Sequence, residues 1–208
     1  MNYAAFTYDP KVRVNVLVTP VDLQIDKILN PNYAKNDAKY IAIWDTGATN
    51  TVISLNLAKK LKLTPNGIVP CSTAGGKIEA KQYIIGLKLL NGVEINDIHV
   101  TEGDLDGCDF LIGMDVITLG DFSITNVDGC TTFSFRIPSC KKVDFVKESN
   151  EKRLKYLESE LKKQERNLKR DGNQLCGCGS GKKFKYCHGK QQIKELHSQI
   201  DEIEKVRS

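Results

Sequence analysis

Val12, Val14, Val16 and Val18 alternate with Arg13, Asn15 and Leu17, the period-two signature of a strand whose faces differ in polarity. Short runs rich in Val, Ile and Thr recur over residues 40–44, 50–53, 77–90, 93–101, 109–112, 123–127 and 131–137, punctuated by Gly, Pro, Asn and Asp. Leu90-Asn91-Gly92-Val93 places Asn-Gly between two apolar runs, a strong hairpin signal. Two short helices interrupt this β-rich stretch. One follows Ser54, an N-cap, with Leu57 and Leu61 on one face, and the other lies near residues 114–119. Beyond Val146 the period lengthens. Leu154, Leu157, Leu161 and Leu168 fall at helical a/d-like spacing, and Ile193, Leu196, Ile200 and Ile203 repeat it. Between these seams, residues 171–189 are glycine-rich and carry three cysteines. The pattern predicts a mainly β domain over residues 1–146. A helical hairpin over 147–208 follows, with a structured knuckle at its tip. Each apolar seam is too narrow to stand alone, so it buries against the other or against a partner chain.

Composition narrows the class. The 208 residues are 40% hydrophobic and 27% charged, as in ordinary globular proteins, which excludes a wholly disordered chain. No apolar run approaches the roughly 20 residues of a membrane-spanning helix. The first ten residues lack the basic-then-apolar pattern of a secretion signal, so a cytoplasmic address is expected. Seven cysteines cannot all pair, and three crowd near the C-terminus, which points to metal binding rather than a disulfide framework. The net charge of +4 is uneven. From Lys147 onward 16 Lys and Arg face 10 Asp and Glu, giving +6 and leaving −2 for residues 1–146. That surplus alone is too weak to imply a nucleic-acid partner.

The most informative stretch is Ile41-Ala-Ile-Trp-Asp45-Thr46-Gly47-Ala48, an apolar run entering a polar, glycine-containing turn. Asp-Thr-Gly alone is compatible with a plain hairpin turn. Two further motifs change that reading. Thr73-Ala-Gly75-Gly76-Lys-Ile sets a glycine turn between two extended segments, and Phe110-Leu-Ile-Gly113 ends an apolar run at a glycine before a helical turn. This ordered trio resembles the retropepsin-like aspartic proteases over residues 11–143, and implies their closed β-barrel, acid-protease fold.

The resemblance implies a chemistry. A peptide bond can be hydrolysed when one carboxylate takes a proton from water while a carboxylic acid donates to the carbonyl oxygen. Two aspartates sharing one proton do both, because like charges about 3 Å apart do not both ionise readily. The chain holds a single Asp-Thr-Gly; Asp115 and Asp121 lack that context. A homodimer is therefore expected, with Asp45 of each copy meeting at the twofold axis. By resemblance, the Thr46 hydroxyl interlocks with the opposite subunit. Gly47 lets the backbone approach and leaves its amide for the carboxylate. Ala48, Gly75 and Gly76 are expected to contact substrate, the two glycines as the tip of a flap that closes over an extended peptide. Ala48 replaces the hydroxyl common in pepsin-type enzymes, so activity at milder pH than a gastric enzyme is expected. Gly113 should pack beneath the catalytic loop, and Trp44 should serve packing or subunit contact. His99, Cys71, Cys108, Cys130 and Cys140 show no partner pattern and read as bystanders.

The second motif runs Cys176-Gly-Cys178-Gly-Ser180-Gly-Lys182-Lys-Phe184-Lys-Tyr-Cys187-His188. Three thiolates and an imidazole within thirteen positions suit a closed, structural tetrahedral zinc site. The segment resembles the SEC-C motif, a zinc module known from the preprotein-translocase motor ATPase. Cys176, Cys178, Cys187 and His188 match its ligands; Gly177 stands where proline is common. So short a segment has almost no core, so zinc must supply its folding energy. The related module engages a chaperone, which implies recruitment of a protein partner. The lysines interleaved with Phe184 and Tyr186 keep nucleic acid as the alternative.

These readings converge on a homodimeric aspartic endopeptidase acting on protein or peptide substrates, with a zinc-bearing recruitment module. The alternatives are a non-catalytic dimeric peptide-binding adaptor of the same fold and a nucleic-acid-binding module centred on the knuckle.

Overall fold

The computed structural model describes residues 4–35, 38–73 and 76–207, with the side chains of Thr73 and Arg207 excepted. The chain divides into two compact units, residues 1–141 and 142–208.

Among its described residues the first unit contains ten strands: β1 (Ala4–Tyr8), β2 (Leu17–Gln24), β3 (Tyr40–Trp44), β4 (Val52–Ser54), β5 (Gly67–Thr73), β6 (Gly76–Lys88), β7 (Glu94–Gly103), β8 (Phe110–Ile112), β9 (Asp121–Thr125) and β10 (Thr132–Ile137). Helix α1 (Leu55–Lys60) follows β4, capped by the Ser54 hydroxyl, which accepts from the Leu57 amide at 3.1 Å. Helix α2 (Met114–Ile117) follows β8 directly. Strands β2-β3-β8-β4-β7-β6 pair in that order, and β6 pairs back onto β2, which closes a barrel. The first part of β6 leaves the barrel to form a hairpin with β5, in register from Gly67↔Gln82 to Thr73↔Gly76. A separate sheet, β1-β10-β9, packs Phe6, Phe133 and Phe135 into the same core.

Local sequence explains most of these elements. At the turn between β6 and β7, Asn91 and Gly92 both have positive φ, as an Asn-Gly hairpin requires. Strand β2 begins later than the valine alternation suggests. Val12 and Val16 stand in solvent, and Val18, on the valine face, is exposed, whereas Thr19 and Val21 point inward. The reason lies in the core. Trp44 is buried, and its indole N–H needs an acceptor, which the Thr19 hydroxyl provides at 2.9 Å. The Trp44 ring also lies within 5.0–6.1 Å, centroid to centroid, of Phe6, Phe122, Phe133 and Phe135.

In the second unit, α3 (Phe145–Asp171) is capped by the Asp144 carboxylate, which accepts from the Lys147 amide at 3.0 Å. Helix α4 (His188–Arg207) returns along it. Leu154, Leu157 and Ile203 are buried together with Leu196 and Ile200 against them, so the two seams read from the sequence meet within one chain. No helix among the described residues is long and apolar enough to cross a membrane.

Candidate functional sites

Strand β3 runs parallel to β8, with Ala42 opposite Phe110 and Trp44 opposite Ile112. The Asp45 amide continues the ladder by donating to the Ile112 carbonyl at 2.9 Å. The chain then turns sharply. The Gly47 amide donates to Asp45 Oδ1 at 2.8 Å, and the Ala48 amide reaches the Asp45 carbonyl at 3.3 Å. The carboxylate is half-buried, while Thr46 and Gly47 are exposed.

The loop after Asp45 is anchored from the other side by α2. The Met114 amide donates to the Ala48 carbonyl at 2.8 Å and the Asp115 amide to the Thr49 carbonyl at 3.1 Å. Thr51 is wholly buried. Its amide and hydroxyl donate to the two oxygens of Asp115 at 2.9 and 2.8 Å, and its hydroxyl accepts from the Gly113 amide at 3.1 Å. Gly113 packs where a Cβ would lie 2.6 Å from the Asn50 backbone. Asp115 is thus committed to holding the loop. Asp121 accepts from the Arg136 guanidinium, from Ser139 Oγ at 2.5 Å and from the Cys140 amide at 3.1 Å. These donors, Ser139 first, hold its carboxyl well below the usual carboxylate range.

A cleft of about 640 Å³ opens beside the loop. Its walls are Gly47 to Asn50, the end of the β5–β6 hairpin, and the stretch from Thr101 to Leu105. Ala48 lines it; Gly76 sits at the start of β6 with φ of +117°; Gly75 lies outside the described residues. Cys71, which shows no partner pattern in the sequence, also lines the cleft, whereas His99 faces the Gln82 side-chain oxygen at 3.3 Å. Sequence reasoning missed Thr51, Glu102 and Asp104. Thr51 looks like any strand threonine, and the other two belong to a segment with no motif of its own.

In the second unit, Cys176, Cys178, Cys187 and His188 converge, each donor atom within 4.8 Å of the others. Cys176 Sγ lies 3.2 Å from His188 Nδ1, Cys187 Sγ 3.4 Å from the same nitrogen, and Cys178 Sγ 3.5 Å from Cys187 Sγ. Tetrahedral ligation with metal–sulfur bonds of about 2.3 Å places sulfurs about 3.8 Å apart, so this donor set is compatible with a metal site. The chain reaches this arrangement through Gly179 and Gly181, both at positive φ, and through the Cys176 amide, which donates to the Lys182 carbonyl at 2.8 Å. The Cys178 amide holds the Cys176 thiol below its ordinary value, and Ser180 does the same for Cys178. Ser180 carries no ligand signature, yet its hydroxyl lies 3.1 Å from Cys178 Sγ.

Comparison with known proteins agrees with this division. Residues 32–118 match the family model described as "gag-polyprotein putative aspartyl protease", and residues 173–190 match the SEC-C motif. No curated protein sequence matches the chain. Among solved structures it is similar to a retropepsin-like aspartic protease from Rickettsia conorii, at 18% identity and a TM-score of 0.43, over 65% of this chain and 94% of that one. It is also similar to the retroviral protease-like domain of Ddi1 from Leishmania major, at 18% identity and 0.38, over 59% and 95%. A third similar structure is EIAV protease complexed with the inhibitor HBY-793, at 20% identity and 0.37, over 51% and 91%. The chain has a mainly β, retropepsin-like fold with a C-terminal helical region holding a Cys/His cluster: a retropepsin-like domain followed by a SEC-C motif.

Proposed function

We propose that the protein is a homodimeric aspartic endopeptidase. The observation that carries this reading is the Asp45 carboxylate, held by the Gly47 amide at 2.8 Å where its loop borders a cleft of about 640 Å³. Two copies of Asp45, one from each subunit, share a proton across the twofold axis. The ionised carboxylate takes a proton from water as the water oxygen attacks the peptide carbonyl carbon. The protonated partner gives its proton to the carbonyl oxygen. Collapse of the resulting diol breaks the carbon–nitrogen bond, and the amine leaves with a proton from the aspartate pair. Thr46, exposed beside Asp45, meets the opposite loop, and the β5–β6 hairpin closes over the bound peptide.

Cys176, Cys178, Cys187 and His188 hold a structural zinc, which organises a segment that lacks a core of its own. With all four ligands supplied by the chain, the ion has no open position for substrate. The knuckle presents Lys182, Lys183 and Lys190 in solvent, as expected of a face that recruits an acidic protein partner.

The test is Asp45→Asn assayed on a mixed peptide library, with oligomeric state followed by light scattering. Cleavage should vanish while the dimer persists, and a pepstatin-type inhibitor should reproduce the loss in the unsubstituted protein. Turnover near the original rate in Asp45→Asn, or full activity in a strictly monomeric species, refutes the reading.

A further inference from the structure

The cleft beside Asp45 is electrostatically one-sided. Among the described residues, the acidic or basic side chains in its walls are Glu102 and Asp104, at the end of β7. Among the described residues no cation pairs with either. Glu102 is fixed: the buried Tyr83 hydroxyl donates to its Oε2 at 2.7 Å, which leaves Oε1 for another donor. Asp104 is exposed and belongs to the connection between β7 and β8. The nearest lysine in sequence on the facing hairpin, Lys77, precedes Ile78. Ile78 lines the cleft, and Lys77 is not among the residues of its walls. The remaining lining is uncharged, including Val52, Pro70, Ile78 and Leu105.

From this arrangement we infer that the cleft selects peptides carrying a lysine or arginine side chain, whose cation is received by Glu102 and Asp104. The inference rests on the protease reading of the same cleft and names its substrate class. A long basic side chain fits both features of the site. Its methylene stem packs on the apolar wall, and its charged end reaches the carboxylates. An acidic residue at the same place would meet two like charges with no cation to offset them. In a twofold dimer the groove holds two copies of this wall, one on each side of the scissile bond. The preferred substrate therefore carries a basic residue on both sides of the cleavage point.

Binding is measured by fluorescence polarisation on full-length Asp45→Asn protein, using extended peptides that differ only by lysine against norleucine. The lysine peptide should bind about tenfold more tightly at low salt, as expected for hydrogen bonds to a charged group, and the ratio should shrink at high salt. Cleavage of the same pair by the unsubstituted protein should show the same preference. In the double variant Glu102→Gln, Asp104→Asn the ratio should fall close to one. Glutamine keeps an acceptor for Tyr83, and a thermal melt matching the parent's verifies that the fold persists. Equal binding of the two peptides, binding of neither, or a preference that survives the double substitution overturns the inference. Lysine-selective binding with no cleavage by the unsubstituted protein refutes hydrolysis but leaves the selectivity standing. Cleavage without selectivity does the reverse.

Discussion

Gly113 stands between β8 and α2, against the loop that follows Asp45, and Gly113→Ala tests whether that loop is as tightly built as its hydrogen bonds imply. A Cβ at this position would lie 2.6 Å from the carbonyl carbon and oxygen of Asn50 and 3.0 Å from the Ala48 oxygen. These are backbone atoms with no rotamer to yield, so the loop must shift by about 0.8 Å to restore ordinary contact. Overpacking of this kind costs about 1–3 kcal/mol. For a unit of this length, unfolding entropy near 2 cal/mol/K per residue makes each kcal/mol worth about 3 °C, so the melting temperature should fall by about 3–10 °C. Activity should fall further than stability. The shifted atoms include the Ala48 carbonyl that accepts from Met114, on the loop that also positions Asp45, and small misplacements of reacting groups cost about a hundredfold. Gly67→Ala is the control, since a Cβ there meets nothing within 4 Å; it should be neutral or stabilising by up to about 1 kcal/mol. Calorimetry and peptide-cleavage kinetics on both variants decide the matter. A Gly113→Ala protein melting within 1 °C of the parent, or cleaving at the parent's rate, would show that the loop is loose.

Thr51→Val should destabilise by about 1–3 kcal/mol in urea denaturation, because it strands the Gly113 amide and removes one donor from Asp115; Thr51→Ser should restore most of the loss. Asp121→Asn should lower the melting temperature at pH 7. Its folded-state value is depressed, so its contribution is present above the ordinary carboxylate range, about pH 4, and is lost as pH falls below it. The gap between variant and parent should close on acidification. A strong chelator should release one zinc per chain and abolish hydrogen-exchange protection at Cys176, Phe184 and Lys185, leaving the barrel amides protected; simultaneous loss in both units would contradict their independence.

What the sequence disclosed, and what it withheld, follows from the distance over which each feature is encoded. The four candidate metal ligands lie within thirteen positions, and the glycines that bend the chain around them lie among them, so composition and spacing already describe the cluster. Asp45 and Gly47 are two residues apart, and the amide-to-carboxylate bond between them needs only a tight turn. The loop's anchor is different. Thr51 and Asp115 are 64 residues apart and meet because β4 pairs with β8. Neither residue type marks the contact in advance, and Asp115 read from its neighbours is only an aspartate near a helix start. The cleft is harder still, since its walls come from three separate stretches that become neighbours only when β5, β6 and β7 take their places. Hydrophobic periodicity gives the strands but not the phase of a face in conflict with a polar requirement. At Thr19, a buried indole donor outweighed the valine alternation and turned a threonine inward. The same reasoning explains why the proposed reaction class is easier to read than the proposed specificity. A carboxylate and its turn form a local unit, whereas Glu102 and Asp104 acquire meaning only from the uncharged residues that the fold sets across from them.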